Sequence, residues 1–111
     1  MSTRDTGIPG LDRREGHRAH YFGEVEYEWS GEKHRARAAD LSPGGMLIET
    51  NKPLAPGAEF QARLITPGAA PLEVVCVVRR VLVGVGMGVE FADLKPADHI
   101  RLHKLFESLP H

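Results

Sequence analysis

The chain has 111 residues, of which 41% are hydrophobic and 26% charged, with a formal net charge of -1 at pH 7. That length supports one hydrophobic core and not two, and the near-neutral balance excludes a global attraction to nucleic acid or anionic membranes, so an anion site must be local. With no secretory leader or bilayer-length apolar run in the sequence, a cytoplasmic protein without membrane insertion is expected.

Residues 1–12, polar and marked by Pro9 and Gly10, read as a flexible N-terminal arm, with a single domain over 13–111. "EVEYEW" alternates strictly, setting Val25, Tyr27 and Trp29 on an inner face and Glu24, Glu26 and Glu28 on an outer one, as a half-buried strand does. Ser30 to Lys33 form the expected turn. "HRARAADL" continues the alternation with Ala36 and Ala38 inward and Arg35 and Arg37 outward, and "MLIET" reads as the returning strand.

After the loop "NKPLAPG", the segment "EFQARLI" places Phe60, Ala62 and Leu64 inside. "LEVVCVVRRVLV" is β-branched and bounded by glycines, which favours a strand over a helix. Within it Arg79 and Arg80 mark a twist or bulge and are read as solvated, and Cys76, the single cysteine, is expected to be a buried, inert thiol. "GVGMGVEFA" is the last strand; its glycines relieve crowding at a barrel corner rather than forming a dinucleotide loop, which would need a helix after them. A helix follows over "KPADHIRLHKLFESLP", with Pro96 at its first position and an apolar stripe of Ile100, Leu102, Leu105, Phe106 and Leu109. Six short strands and one terminal amphipathic helix imply an all-β fold: a small six-stranded antiparallel β-barrel with a C-terminal α-helix.

Catalytic and metal chemistry find no support in the pattern. The six histidines include no HExxH, and one cysteine makes no CxxC; His99 and His103 share a helical face without carboxylate or thiolate partners beside them. Ser42 lacks a GxSxG elbow, so no catalytic residue, metal or cofactor is assigned.

Two local features carry chemistry. Arg13, Arg14 and Arg18 cluster before the first strand, and a guanidinium fork holds phosphate or the Hoogsteen edge of guanine in a bidentate way. "DLSPGG", Asp40 to Gly45, has the residues of a tight turn: Asp and Ser bond nearby backbone N–H groups and Pro-Gly supplies the bend. Either alone reads as a solvated basic segment or an ordinary turn. An antiparallel barrel, however, brings the segment before its first strand close to the turn between its second and third. The site would then have cationic forks on one wall and Asp40, Ser42 and backbone N–H groups on the other, which fits a guanine nucleotide.

Arg14-Glu15-Gly16-His17-Arg18 matches RxxxR and Asp40-Leu41-Ser42-Pro43-Gly44-Gly45 matches [D/N]xSxxG. In this two-part motif, and in "GMLIET", "PLAPGAEFQARL" and "GVGMGVEF", the sequence resembles the PilZ family, bacterial receptor domains for cyclic di-GMP. The resemblance implies a six-stranded barrel with a C-terminal helix, and a ligand site made of the N-terminal loop and the turn between the second and third strands. It assigns Arg14 and Arg18 to phosphate and guanine, Asp40 to a guanine edge and Ser42 to a hydroxyl contact. Gly44 and Gly45 line the turn, Gly45 by permitting close approach or a backbone angle closed to side chains. Arg13 is a further candidate, stacking on guanine and favouring an intercalated ligand dimer over a single molecule.

In this family the arginine loop is ordered by ligand, and a single-domain member passes its signal to a downstream protein. The rival expectation is a protein-interaction adaptor that ignores nucleotide. General nucleic-acid binding fits least, because Glu24, Glu26 and Glu28 line one face and Tyr27 and Trp29 are read as core rather than as stacking platforms.

Overall fold

The computed structural model describes residues 23–65 and 70–108. Six antiparallel strands form a closed barrel in the order β1-β2-β3-β6-β5-β4. They are β1 (Gly23–Trp29), β2 (Glu32–Ser42), β3 (Gly45–Glu49), β4 (Glu59–Ile65), β5 (Leu72–Leu82) and β6 (Gly86–Ala92), followed by the helix α1 (Pro96–Ser108). The expected arm and the arginines Arg13, Arg14 and Arg18 lie outside the described residues.

The alternation read in the sequence is the inside-outside alternation of the barrel. Val25, Tyr27, Phe60, Ala62 and Leu64 are buried in the core, and β1 lies between β2 and β4 with Val25 opposite Ala36 on one side and Leu64 on the other. Leu41, Met46, Ile48, Met87 and Leu102 are fully enclosed, each a side chain whose burial is worth about 1.5–3 kcal/mol. Leu102 brings α1 into this core, and Leu105 and Phe106 pack against it. Arg101 Nη2 also donates to the carbonyl oxygen of Ala70 at 2.8 Å, fixing α1 to the β4–β5 connection. That connection and the β2–β3 turn lie at the same end of the barrel, because consecutive strands alternate in direction.

Three expectations are corrected. Trp29 is 37% exposed: it ends β1 at the hairpin tip, beyond the rim where the core can cover it. Ile100 is 56% exposed, because two helical residues are about 200° apart and a stripe through Leu102, Leu105 and Phe106 leaves Ile100 on the far side. The first turn is shorter than Ser30 to Lys33. Ser30 and Gly31 have φ of 53° and 79°, the two positive angles of a two-residue hairpin turn, and Glu32 and Lys33 already pair with Trp29 and Glu28.

Cys76 is buried, and loss of solvation pushes its thiol up to about 12. Arg79 and Arg80 sit at the register shift in β5, between Val78 and Arg80.

Candidate functional site

The β2–β3 connection is built from backbone necessity. The register between β2 and β3 breaks between Ala39 and Ser42, and Asp40 has a φ of 47°, a left-handed conformation that aspartate tolerates better than most residues. This bulge lets Ala38 and Leu41, three positions apart, both point into the core, while Asp40 stays partly exposed.

Ser42, buried to 7% exposure, accepts a hydrogen bond at its Oγ from the Gly44 N–H at 3.2 Å, which closes the bend through Pro43. Gly44 in turn accepts, at its carbonyl oxygen, a bond from the Phe91 N–H at 3.0 Å. Gly45 is forced by space rather than by angle: a Cβ there would stand 2.2 Å from the Val89 carbonyl oxygen. The turn is thus held against β6 at the end of the barrel that leads into α1. The structure brings Asp40, Ser42, Gly44 and Gly45 together; Arg13, Arg14 and Arg18 are outside the described residues.

The barrel exterior has two contrasting sides. On β1, β2, β4 and β5 the outward charges alternate in sign across the strands: Arg35 faces Glu26, Glu26 faces Arg63, and Arg63 faces Glu73. Arg35 bonds Glu26 and holds its carboxyl below the ordinary carboxylate range, while Arg35 also reaches Glu24 at 3.5 Å and Arg63 reaches Glu73 at 3.6 Å. A cleft of about 740 Å³ lies on this side, between Glu28, Lys33, Arg63 and Glu73, rather than at the turn. Because its ionic groups already compensate one another, it offers no net field for an anion.

The other side, beside the turn, is apolar. Ala39 and Leu47 are buried to 5% and 7% exposure, with Leu82 against them, in a cluster separate from the barrel core. Their outward direction follows from their neighbours: Ala38, Met46 and Ile48 are core residues. The sequence reading missed this shelf; its signal was the break in alternation at Ala38-Ala39, where two small residues in succession precede the turn. Next to the shelf, Arg79 Nε donates to Glu90 Oε1 at 2.7 Å. An apolar floor beside a turn with a carboxylate, a hydroxyl and exposed glycine backbone is suited to a ligand with an aromatic part and polar edges.

Elsewhere, His99 and His103 stack with ring centroids 6.2 Å apart, and among the described residues no cluster of three or more histidine, cysteine or acidic residues gathers to hold a metal ion. Among the same residues, no helix is long and apolar enough to cross a membrane.

The structure is similar to the PilZ domain of YcgR from Escherichia coli, solved with c-di-GMP, at a TM-score of 0.71 and 23% identity, covering 88% of this chain and 92% of that one. It is also similar to the Bacillus subtilis inhibitor of motility, MotI/DgrA, at a TM-score of 0.70 and 19% identity, covering 82% of this chain and 47% of that one. No curated protein matches the sequence. These structural likenesses show the fold, and the sequence profile of the PilZ domain matches residues 12–108. The closed six-stranded barrel, its terminal helix and the turn at Asp40 to Gly45 are therefore those of a family member: this chain belongs to the PilZ domain family.

Proposed function

We propose that this protein is a cyclic di-GMP receptor and adaptor without catalytic activity, in which Arg13, Arg14 and Arg18 close over the β2–β3 turn. The observation that carries the reading is the complete two-part motif: Arg14 and Arg18 at RxxxR spacing, and Asp40, Ser42 and Gly45 in a turn that is internally bonded and locked against β6. The PilZ domain of YcgR, whose fold this chain shares, is a c-di-GMP complex.

In this reading the arginine forks take the phosphates and guanine, Asp40 accepts from a guanine edge, and Ser42, Gly44 and Gly45 shape the wall beneath. Arg13 stacks on guanine and favours an intercalated pair of ligand molecules. Ordering of the arginine segment is the signal, passed to a downstream protein in the cytoplasm, with residues 13–111 acting as one domain behind a flexible arm.

Calorimetric titration with cyclic di-GMP tests the binding. Amide exchange tests the switch: residues 10–22 gain protection on ligand addition if the segment orders, and unchanged exchange there in a protein that binds would discard the switch.

A further inference from the structure

Helix α1 presents two imidazoles that the fold does not use. His99 and His103 are four residues apart, so on a helix their Cβ atoms stand about 5–6 Å from each other on one side. Both residues are exposed, and their rings stack with centroids 6.2 Å apart and planes at 22°. Among the described residues neither ring has a hydrogen-bond or ion-pair partner. His34 is the contrast: its ring stacks on Tyr27 and has Glu32 at 4.0 Å.

A chelate needs two donors held on one platform, and the residues between the histidines supply it. Leu102 is fully enclosed in the barrel core, and Arg101 is tied to the Ala70 carbonyl oxygen at 2.8 Å. The His99 N–H also donates to the Lys95 carbonyl oxygen at 2.9 Å, within the first turn. The backbone under both rings is therefore fixed by folding itself. Only side-chain rotations remain to bring one nitrogen of each ring onto a common ion at about 2.0–2.1 Å, so little ordering is left for binding to oppose it. Lys95 and Glu107 each stand four residues outside the pair. Their opposite charges balance, which leaves the choice of ion to the imidazoles.

We propose that His99 and His103 form a two-imidazole chelate for a divalent transition metal ion of the Ni2+, Cu2+ and Zn2+ group. Imidazole nitrogen suits these ions, whereas Mg2+ and Ca2+ require oxygen donors. No group of three histidine, cysteine or acidic residues is available among the described residues, so water completes the coordination. The site is open and exchangeable, unlike a closed four-ligand structural zinc centre. An ion held there joins two successive turns of α1 and stabilises the folded chain by mass action. No residue of the β2–β3 turn takes part, and the chelate stands independently of the receptor reading.

The test uses tag-free intact protein, titrated with Ni2+ and with Zn2+ by calorimetry beside Mg2+ as control, with melting curves at saturating ion. His99→Ala and His103→Ala are compared with wild type. One equivalent of Ni2+ or Zn2+ should bind the wild type and raise its melting temperature, while Mg2+ does neither. Each variant should melt like wild type without metal and bind that equivalent roughly 10- to 100-fold more weakly, as loss of the linked second donor requires. Absence of binding by folded wild-type protein would overturn the assignment. So would undiminished binding in either variant, since one imidazole, or histidines elsewhere in the chain, would then suffice.

Discussion

Gly45 and Val89 stand so close that no side chain fits between them: a Cβ on Gly45 would lie 2.2 Å from the Val89 carbonyl oxygen. The obstacle is backbone in the middle of β6, which cannot yield as a flexible side chain would. Gly45→Ala should therefore cost about 2 kcal/mol, seen as a melting temperature lower by roughly 10 °C. Ligand binding should fall with it, because separating β3 from β6 moves the turn. A melting temperature equal to wild type would refute the close-packed seam.

Asp40 separates stability from recognition. Its φ of 47° is tolerated by asparagine and resisted by alanine, which loses about 1 kcal/mol in that conformation. Asp40→Ala should lower the melting temperature and abolish cyclic di-GMP binding. Asp40→Asn, which keeps a side-chain oxygen and the conformational tolerance, should melt like wild type and retain binding. Destabilisation of equal size in both variants would show that the carboxylate, not the backbone angle, is what the turn requires.

The charged side gives a test by pH. Arg35 lowers the Glu26 carboxyl below 4.5, its ordinary value. A lowered folded pKa means a contribution fully present above that ordinary value and lost as pH falls through the lowered one. Glu26→Gln should therefore melt slightly below wild type near neutral pH, with the gap closing as pH falls below the ordinary carboxylate value. A gap that widens in acid would reverse the assignment.

Cys76 should be unreactive. Burial pushes its thiol from an ordinary 9.0 up to about 12, so at pH 8 the folded protein offers essentially no thiolate to a disulfide reagent. Stability should decline as pH rises above 9.0 towards about 12, because the unfolded thiol ionises over that interval and the folded one does not. Rapid labelling of native protein at pH 8 would contradict the buried position.

The inside-outside pattern of β1 and β4 is written in the sequence because each residue's polarity states its side of the wall, as Val25, Tyr27, Phe60 and Leu64 do. Position within an element is less legible: Trp29 and Ile100 are apolar, yet the end of a strand and the angle around a helix decide their exposure. The turn at Asp40 to Gly45 was evident from its residues, whereas the bulge that lets Ala38 and Leu41 both face inward depends on pairing with β3. The shelf was hidden for the same reason, carried further. Ala39, Leu47 and Leu82 come from β2, β3 and β5, far apart in the sequence, and only the strand order of the closed barrel brings them together.

The most direct test of the account is calorimetric titration of the purified protein with cyclic di-GMP, with GTP and cyclic GMP as controls and an Arg14→Ala, Arg18→Ala double variant beside it. The account predicts selective binding of cyclic di-GMP by the wild type, with one or two molecules held, and its loss in a variant that melts normally. Absence of binding by well-folded wild-type protein, or binding undiminished in the double variant, would contradict it.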